Sequence, residues 1–200
     1  MLKGFQIIKG AVSAREIDII YRYLAISKNI GHLNGNDDCD SAHMYYAIPY
    51  FEAMLSYYCS LIKEITNETV YPGYSFLWNY RENHAVPKHK DRAAVDYIIS
   101  IGIHDQNEED WPLIVESEVV NMRAGDIVVL DGKTFEHWRE PCPYHNRLQL
   151  VLCYTRNQLL KFDKREHLGF DPVPEVITSP LKKQLGISDK YIKYLCVNDV

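Results

Sequence analysis

The sequence lacks the features that would place the protein in a membrane or in an oxidising compartment. No segment approaches the roughly 18 to 20 uninterrupted apolar residues that a membrane-spanning helix requires. The N-terminal stretch has no long apolar region followed by a small-residue cleavage site, so the sequence predicts a cytoplasmic protein. The five cysteines include no CxxC pair, which argues against a disulfide framework and against a zinc knuckle.

Positive charge is also scarce. The 22 lysines and arginines are outnumbered by 27 acidic residues, which gives a net charge of −5. Proteins that bind a nucleic-acid backbone usually need a basic surface, so the composition argues against a nucleic-acid partner. Of the 200 residues, 46% are apolar and 24% are charged, as in ordinary globular proteins. These proportions exclude a disordered or collagen-like chain and predict one domain over residues 1–200.

The first third of the chain is predicted to be mainly helical. Ser13 and Glu16 have the spacing of a capping box, and apolar residues then recur with the helical period. This pattern predicts a helix over about residues 13–28. A second helix is predicted over about residues 50–66, and the polar stretch 34–38 between them is predicted to be a loop.

The centre of the chain has the two-residue period of β-strands. Short β-branched and aromatic runs predict strands at 73–81, 94–103, 111–116, 126–131, 135–139 and 147–156. Helices followed by many short strands predict an α+β fold, in which a sandwich, jelly roll or small barrel carries the helices on one outer face. We therefore expect helical support in 1–70, a β-core in 71–156 and a C-terminal extension in 157–200, with a short helix near 188–196.

His89 and Asp91 form a histidine-x-aspartate pair. Residues i and i+2 of a strand point to the same face, so the imidazole and the carboxylate would lie side by side. Non-haem Fe(II) oxygenases hold iron with two histidines and one carboxylate, which leaves further positions open for substrate and dioxygen. His137, 46 positions after the aspartate and on a later predicted strand, is the candidate third ligand.

Arg147 begins the last predicted strand, ten positions after His137. An arginine at the head of a core strand is costly to bury unless an anion meets it, and its planar fork suits a carboxylate. A dicarboxylate with one end on the metal and the other on Arg147 fits this arrangement. The alternative is an ion pair between Arg147 and a carboxylate at the edge of the core, Asp126 or Asp131.

Together these residues resemble an iron(II)/2-oxoglutarate-dependent dioxygenase of the prolyl-hydroxylase-like branch. The resemblance covers about residues 71–156 and includes Tyr80, nine positions ahead of the first ligand. It implies a double-stranded β-helix of the cupin-like, jelly-roll kind, with Fe(II) and O2 at the site and 2-oxoglutarate held by the iron, Arg147 and Tyr80. It also implies hydroxylation of an unactivated carbon, with succinate and CO2 as co-products. Halogenating relatives replace the carboxylate ligand by a small residue, so Asp91 favours hydroxylation over halogenation, while the same core could also support desaturation, ring formation or demethylation.

The substrate is left open between a small amino-acid-like molecule and a peptidyl side chain. Trp78 shares the predicted face of Tyr80, and Arg139 shares that of His137. With Arg92, which follows the aspartate, they are candidate substrate contacts, and the basic pair favours a carboxylate-bearing small molecule. The alternatives are a core position for Trp78 and rim salt bridges for the arginines.

Two other functions are compatible with the same ligand set. A cupin-like module would bind a metal or ligand without catalysis and would not decarboxylate 2-oxoglutarate. A nucleic-acid demethylase of the same superfamily would need a basic groove, against which the acidic composition argues. We interpret Cys142 and Cys153 as small core residues, and six further histidines as surface or loop residues: His32, His43, His84, His104, His145 and His167.

Overall fold

The computed structural model describes residues 2, 4–33, 36–39, 42–104 and 110–157. Its helices are α1 (Ala14–Asn29), α2 (Pro49–Tyr57) and α3 (Cys59–Thr66). Its strands are, in chain order, β1 (Phe5–Ile8), β2 (Asn36–Cys39), β3 (Ala42–Tyr46), β4 (Tyr71–Tyr80), β5 (Val86–His89), β6 (Tyr97–Ile103), β7 (Leu113–Val115), β8 (Glu118–Val120), β9 (Ile127–Leu130), β10 (His137–Arg139) and β11 (Arg147–Thr155). No helix within these residues is both long enough and apolar enough to cross a membrane.

The strands form two antiparallel sheets. The larger sheet has the order β1-β9-β6-β11-β4-β3-β2, and the smaller one has the order β5-β10-β7-β8. Buried apolar side chains of both sheets, such as Val128 of β9 and Leu113 of β7, belong to one cluster. The two sheets therefore face each other, which confirms the predicted α+β fold with a jelly-roll core.

The helices pack on the outer face of the larger sheet. Ile20 of α1, Phe51 of α2 and Ile62 of α3 share one buried cluster with Ile99 and Leu150 of the sheet. Alternate residues of a strand point to opposite faces, so the other side of the same strands is left to line the space between the sheets. This confirms the predicted position of the helices.

The capping box of α1 is confirmed, while the second helix differs from its prediction. Glu16 N donates to Ser13 Oγ, and Ser13 N donates to the Glu16 carboxylate over 2.7 Å. The predicted helix over 50–66 is interrupted at Tyr58, where α2 ends and α3 begins. The helical period alone does not reveal the break, because the same apolar face continues through it.

The edges of the sheets were not predicted from the sequence. Residues 36–39 form β2, so the loop predicted over 34–38 is wrong for most of its length. Strands β1, β3 and β8 were also missed. These strands are three to five residues long and are stabilised by their neighbours, such as β9 beside β1, rather than by a strong local pattern.

The structure also tests the predictions made for individual cysteines and histidines. Cys142 and Cys153 are buried, as expected. His104 lies in the bend directly after β6, as a loop residue would, but it is 1% exposed and therefore not a surface residue, because the buried strand β6 leads into the interior. His167 and the short helix near 188–196 lie outside the described residues.

Replacing Ile20 by alanine should lower the free energy of unfolding by about 2–5 kcal/mol, because the side chain is fully buried in the cluster that joins helices and sheet. Ile26 on the same helix is 60% exposed, and its replacement by alanine should change stability by less than about 0.5 kcal/mol. Urea unfolding followed by circular dichroism would measure both variants. Equal losses would contradict this packing of α1.

Candidate metal centre and its cavity

Strands β5 and β10 bring two histidines together. The strands pair antiparallel with His137 directly opposite His89, and the two ring centroids are 4.3 Å apart. Nε2 of each ring lies 3.9 Å from Asp91 Oδ1. One ligand atom from each of the three residues lies within 4.8 Å of the other two. The three predicted ligands are therefore assembled at one point.

Asp91 reaches this point from a loop. Strand β5 ends at His89, so the expectation that His89 and Asp91 share a strand face is wrong. The Asp91 backbone N–H instead donates to the carbonyl oxygen of Gly132 over 2.8 Å. Contact with the loop that follows β9 thus holds the aspartate beside the histidines.

Backbone carbonyls fix the orientation of both imidazoles. His89 Nδ1 lies 2.7 Å from the Pro87 oxygen, and His137 Nδ1 lies 3.1 Å from the Phe135 oxygen. Because a carbonyl oxygen can only accept, each Nδ1 carries the hydrogen of this bond, and Nε2 is the nitrogen left to bind a metal. Burial lowers the pKa of His137 and favours its neutral form.

The Asp91 carboxylate is suited to a cation. Its Oδ2 is buried and has no hydrogen-bond partner among the residues that the structure describes. Burial raises the pKa of Asp91, against the opposing effect of the two histidines and Arg92. A bound cation would offset the free-energy cost of this buried oxygen. Two neutral imidazoles and one carboxylate around an open face fit a divalent ion such as Fe(II).

A cavity of about 570 Å³ lies between the two sheets beside these ligands. Strands β4, β6 and β11 form its floor, and the metal-ligand candidates lie on its other side with β5 and β10. Lys90, Arg92 and Arg139 bring positive charge to its lining. Among the described residues, Asp91 is the only acidic side chain that lines it.

Tyr80 and Arg147 lie directly opposite each other on β4 and β11. Tyr80 lines the cavity, whereas Arg147 does not belong to its lining and is only 1% exposed. The Arg147 guanidinium carbon lies 5.2 Å from the centroid of the Tyr144 ring. Asp126, one alternative partner for Arg147, forms a salt bridge with Lys9 over 2.8 Å.

Arg139 is a buried cavity residue, so the alternative of a rim salt bridge is wrong for it. It lies two positions after His137, is 4% exposed, and packs over the Trp111 ring at 4.8 Å. Its guanidinium donates to the Trp111 carbonyl oxygen and to Met122 Sδ. Burial, together with the nearby charge of Arg147, lowers the pKa of Arg139 to about 10. Two guanidinium groups therefore lie close together.

The other two candidate substrate residues also line the cavity. Trp78 is half-buried and stacks on Tyr80, with centroids 5.7 Å apart and ring planes at 16°. Arg92 is exposed, and its guanidinium carbon lies 5.5 Å from the centroid of the Tyr74 ring.

Sequence reasoning missed three residues at the site. Gln149 Nε2 donates to Ser100 Oγ over 2.9 Å, and both buried side chains line the cavity. The two-residue period from Arg147 places Gln149 on the same face, so that signal was available. Gly132 carried no comparable signal, because its role depends on a contact with a distant loop.

No protein-family model and no curated protein matches the sequence. Solved structures do. HygX from Streptomyces hygroscopicus, with nickel, 2-oxoglutarate and hygromycin B bound, aligns with a TM-score of 0.62 and 12% identity over 80% of this chain and 86% of that one. A Pseudomonas putida prolyl-4-hydroxylase aligns with a TM-score of 0.60 and 13% identity over 77% of this chain and 93% of that one. The non-heme α-ketoglutarate-dependent epimerase SnoN from nogalamycin biosynthesis aligns with a TM-score of 0.64 and 13% identity over 85% of this chain and 86% of that one.

The chain has the fold of the 2-oxoglutarate–Fe(II) oxygenases. This fold is the double-stranded β-helix that the family resemblance implied. At 12–13% identity the similarity establishes the fold alone. Because one fold supports several reactions, as a hydroxylase and an epimerase among these neighbours illustrate, the function must be argued from the site.

Replacing Gly132 by alanine should displace Asp91, because a Cβ at this position would lie 1.9 Å from Asp91 Oδ2. We expect the affinity for Ni(II) or Co(II) to fall at least about 10-fold, as measured by calorimetric titration. Lys133→Arg changes the next residue but can keep its salt bridge with Asp96, and it should keep the wild-type affinity. Wild-type metal binding in Gly132→Ala would contradict the assignment of Asp91 as a ligand.

Proposed function

We propose that the protein is an Fe(II)/2-oxoglutarate-dependent dioxygenase that hydroxylates an unactivated carbon of a small amino-acid-like or peptidyl substrate. The observation that carries the proposal is the convergence of His89, Asp91 and His137 beside a cavity between the sheets. The fold of solved 2-oxoglutarate–Fe(II) oxygenases supports it. A cytoplasmic location stays a prediction from the sequence.

The three ligands would hold Fe(II) through His89 Nε2, His137 Nε2 and the Asp91 carboxylate. When bound, the iron supplies the site where 2-oxoglutarate and O2 react: one oxygen atom enters succinate as CO2 is lost, and the other enters the substrate as a hydroxyl group. The ligand residues leave the cavity side of the site open to both molecules. The fixed Nδ1 hydrogen bonds keep the imidazoles oriented for this role.

Arg147 and Tyr80 would bind the far carboxylate of 2-oxoglutarate. A guanidinium offers a planar pair of donors to a carboxylate, and the Tyr80 hydroxyl adds a third. Arg139, which the sequence indicated as a substrate contact, lies close to Arg147, and we place it at the co-substrate end. An anion there would offset the cost of burying two positive charges.

Trp78 and Arg92 remain on the substrate side of this proposal. Both line the cavity, and Arg92 is an exposed cation directly after Asp91. Epimerisation and ring closure are the chemistries named for two of the structural neighbours. We favour hydroxylation for this chain, and mass spectrometry of the product would separate a gain of one oxygen atom from either alternative.

Arg147→Gln should raise the Kd for 2-oxoglutarate by about 10- to 100-fold, because a hydrogen-bonded charge pair is lost, and should leave the metal affinity unchanged. Anaerobic calorimetry with Fe(II)-loaded protein would measure both constants. Lys88→Gln is the matched control, because Lys88 is paired with Glu136 at 2.9 Å and does not line the cavity. An unchanged Kd in Arg147→Gln would remove Arg147 from the co-substrate site.

The purified protein with Fe(II) should convert 2-oxoglutarate to succinate and CO2, and His89→Ala should abolish this conversion together with metal binding. Succinate measured by chromatography, with and without a chelator, tests the expectation directly. Metal-loaded, folded protein that binds but never decarboxylates 2-oxoglutarate would instead identify a non-catalytic cupin-like module.

A further inference from the structure

The side chains that form the floor of the cavity differ in chemical character from one end of the strands to the other. Strand β11 lies between β4 and β6, so the cavity-facing residues of the three strands form rows across the floor. The first row contains Tyr80, with Arg147 buried directly beside it, and the last contains Tyr74, Cys153 and Ile98. Tyr80 lies six positions after Tyr74 on β4, so about 20 Å separates these rows at roughly 3.3 Å per residue. The floor is therefore much longer than one five-carbon dicarboxylate.

One end of this floor is the guanidinium lobe, formed by Tyr80, Arg139 and Arg147. Tyr80 and Arg147 are directly opposed, and Arg139 comes two positions after the metal-ligand candidate His137. Both arginines are buried. The proposed function places the far carboxylate of 2-oxoglutarate here.

The other end is the aromatic lobe, formed by Tyr74, Phe76 and Arg92. The Tyr74 and Phe76 rings stack with centroids 5.8 Å apart and planes at 29°, and Trp78 continues the series edge-on at 5.8 Å. Phe76 and Trp78 are only half-buried, so a ligand in the cavity can reach them. Stacked rings favour contact with flat, unsaturated molecules.

Positive charge covers the aromatic lobe. Arg92 lies over the Tyr74 ring at 5.5 Å, directly after the metal-binding aspartate. Lys90 is a second exposed cation in the lining. Neither forms a salt bridge with a residue in the described part of the chain, and Asp91 is the only acidic side chain that these residues bring to the lining. The lobe should therefore attract anions and repel cations.

We propose that the prime substrate is a small molecule with a flat, unsaturated ring system and an anionic group. Its ring packs on the half-buried Phe76 and Trp78 rings, its anionic group pairs with Arg92, and 2-oxoglutarate occupies the guanidinium lobe at the same time. The cavity of about 570 Å³ is within the size range of small-ligand sites. This inference rests on the proposed function and narrows its substrate to one chemical class.

The test measures binding without turnover, by calorimetry on Ni(II)-loaded protein with saturating 2-oxoglutarate. Four probes vary one property at a time: 2-naphthoate, its neutral amide, 2-naphthylmethylammonium and the saturated decalin-2-carboxylate. We expect 2-naphthoate to bind without displacing 2-oxoglutarate and the amide to bind about 10-fold more weakly. The saturated acid should also bind more weakly, and the ammonium compound should not bind detectably.

Two variants test which residues produce the preference for flat, anionic probes. Arg92→Gln should abolish the difference between 2-naphthoate and its amide, and it should leave the Kd for 2-oxoglutarate unchanged. Phe76→Leu should weaken the binding of 2-naphthoate and of its amide by about 5- to 10-fold and should spare decalin-2-carboxylate. Lys88→Gln removes a nearby cation that does not line the cavity and should behave as wild type.

The inference is overturned if 2-naphthoate displaces 2-oxoglutarate, if the ammonium or saturated probe binds as well as 2-naphthoate, or if Arg92→Gln keeps the wild-type preference. These results would leave the proposed function standing. Failure of 2-oxoglutarate to bind the metal-loaded protein would instead contradict the proposed function. The same four probes, titrated into that sample, would still decide whether the aromatic lobe selects flat anions.

Discussion

The antiparallel pairing of β5 with β10 is the constraint on which the site depends. It places His137 opposite His89 although 48 positions separate them in the chain. Strand β10 has only three residues, so it needs support from its surroundings. It pairs with β7 on its other side, and the buried guanidinium of Arg139 donates to the Trp111 carbonyl oxygen just before β7. Arg139 therefore helps to hold the strand that carries the distal histidine, besides its charge in the cavity.

A second constraint is the close approach of two loops. Asp91 lies against Gly132, where no side chain separates the carboxylate from the backbone. The next residue, Lys133, binds Asp96 at 2.9 Å, and Asp96 binds Arg156 at 3.1 Å directly after the end of β11. The loop that positions the aspartate is thus tied to the strand that carries Arg147 at its other end. The metal-ligand candidates and the proposed co-substrate residues are held by one connected framework.

Residue types and their spacing were sufficient to predict which side chains meet at the candidate metal site. The histidine-x-aspartate pair, His137 and the arginine ten positions later pointed to the correct fold, and the three ligand candidates meet as expected. The reason given for Asp91 was wrong, because the loop after β5 and its contact with Gly132 place it, not a strand face. Such a contact between distant loops leaves no periodic pattern. The burial of Arg139 was likewise not predictable, since it depends on packing against Trp111.

The fold leaves the choice of reaction to the residues around the metal centre. Neighbours with nearly equal structural similarity include a prolyl-4-hydroxylase and an epimerase. What distinguishes this chain is a cavity with buried guanidinium groups at one end and stacked rings under an exposed arginine at the other. One acidic side chain, Asp91, lines it among the described residues, and that residue is assigned to the metal. Charge and ring stacking, more than the fold, therefore define what the site can accept.

Anaerobic calorimetric titration of 2-oxoglutarate into the protein, with and without Fe(II), tests the central claim most directly. If His89, Asp91 and His137 hold the metal beside the guanidinium lobe, 2-oxoglutarate should bind one-to-one to the iron-loaded protein and far more weakly to the metal-free protein. Equal binding with and without iron, or no binding to folded, iron-loaded protein, would contradict the account.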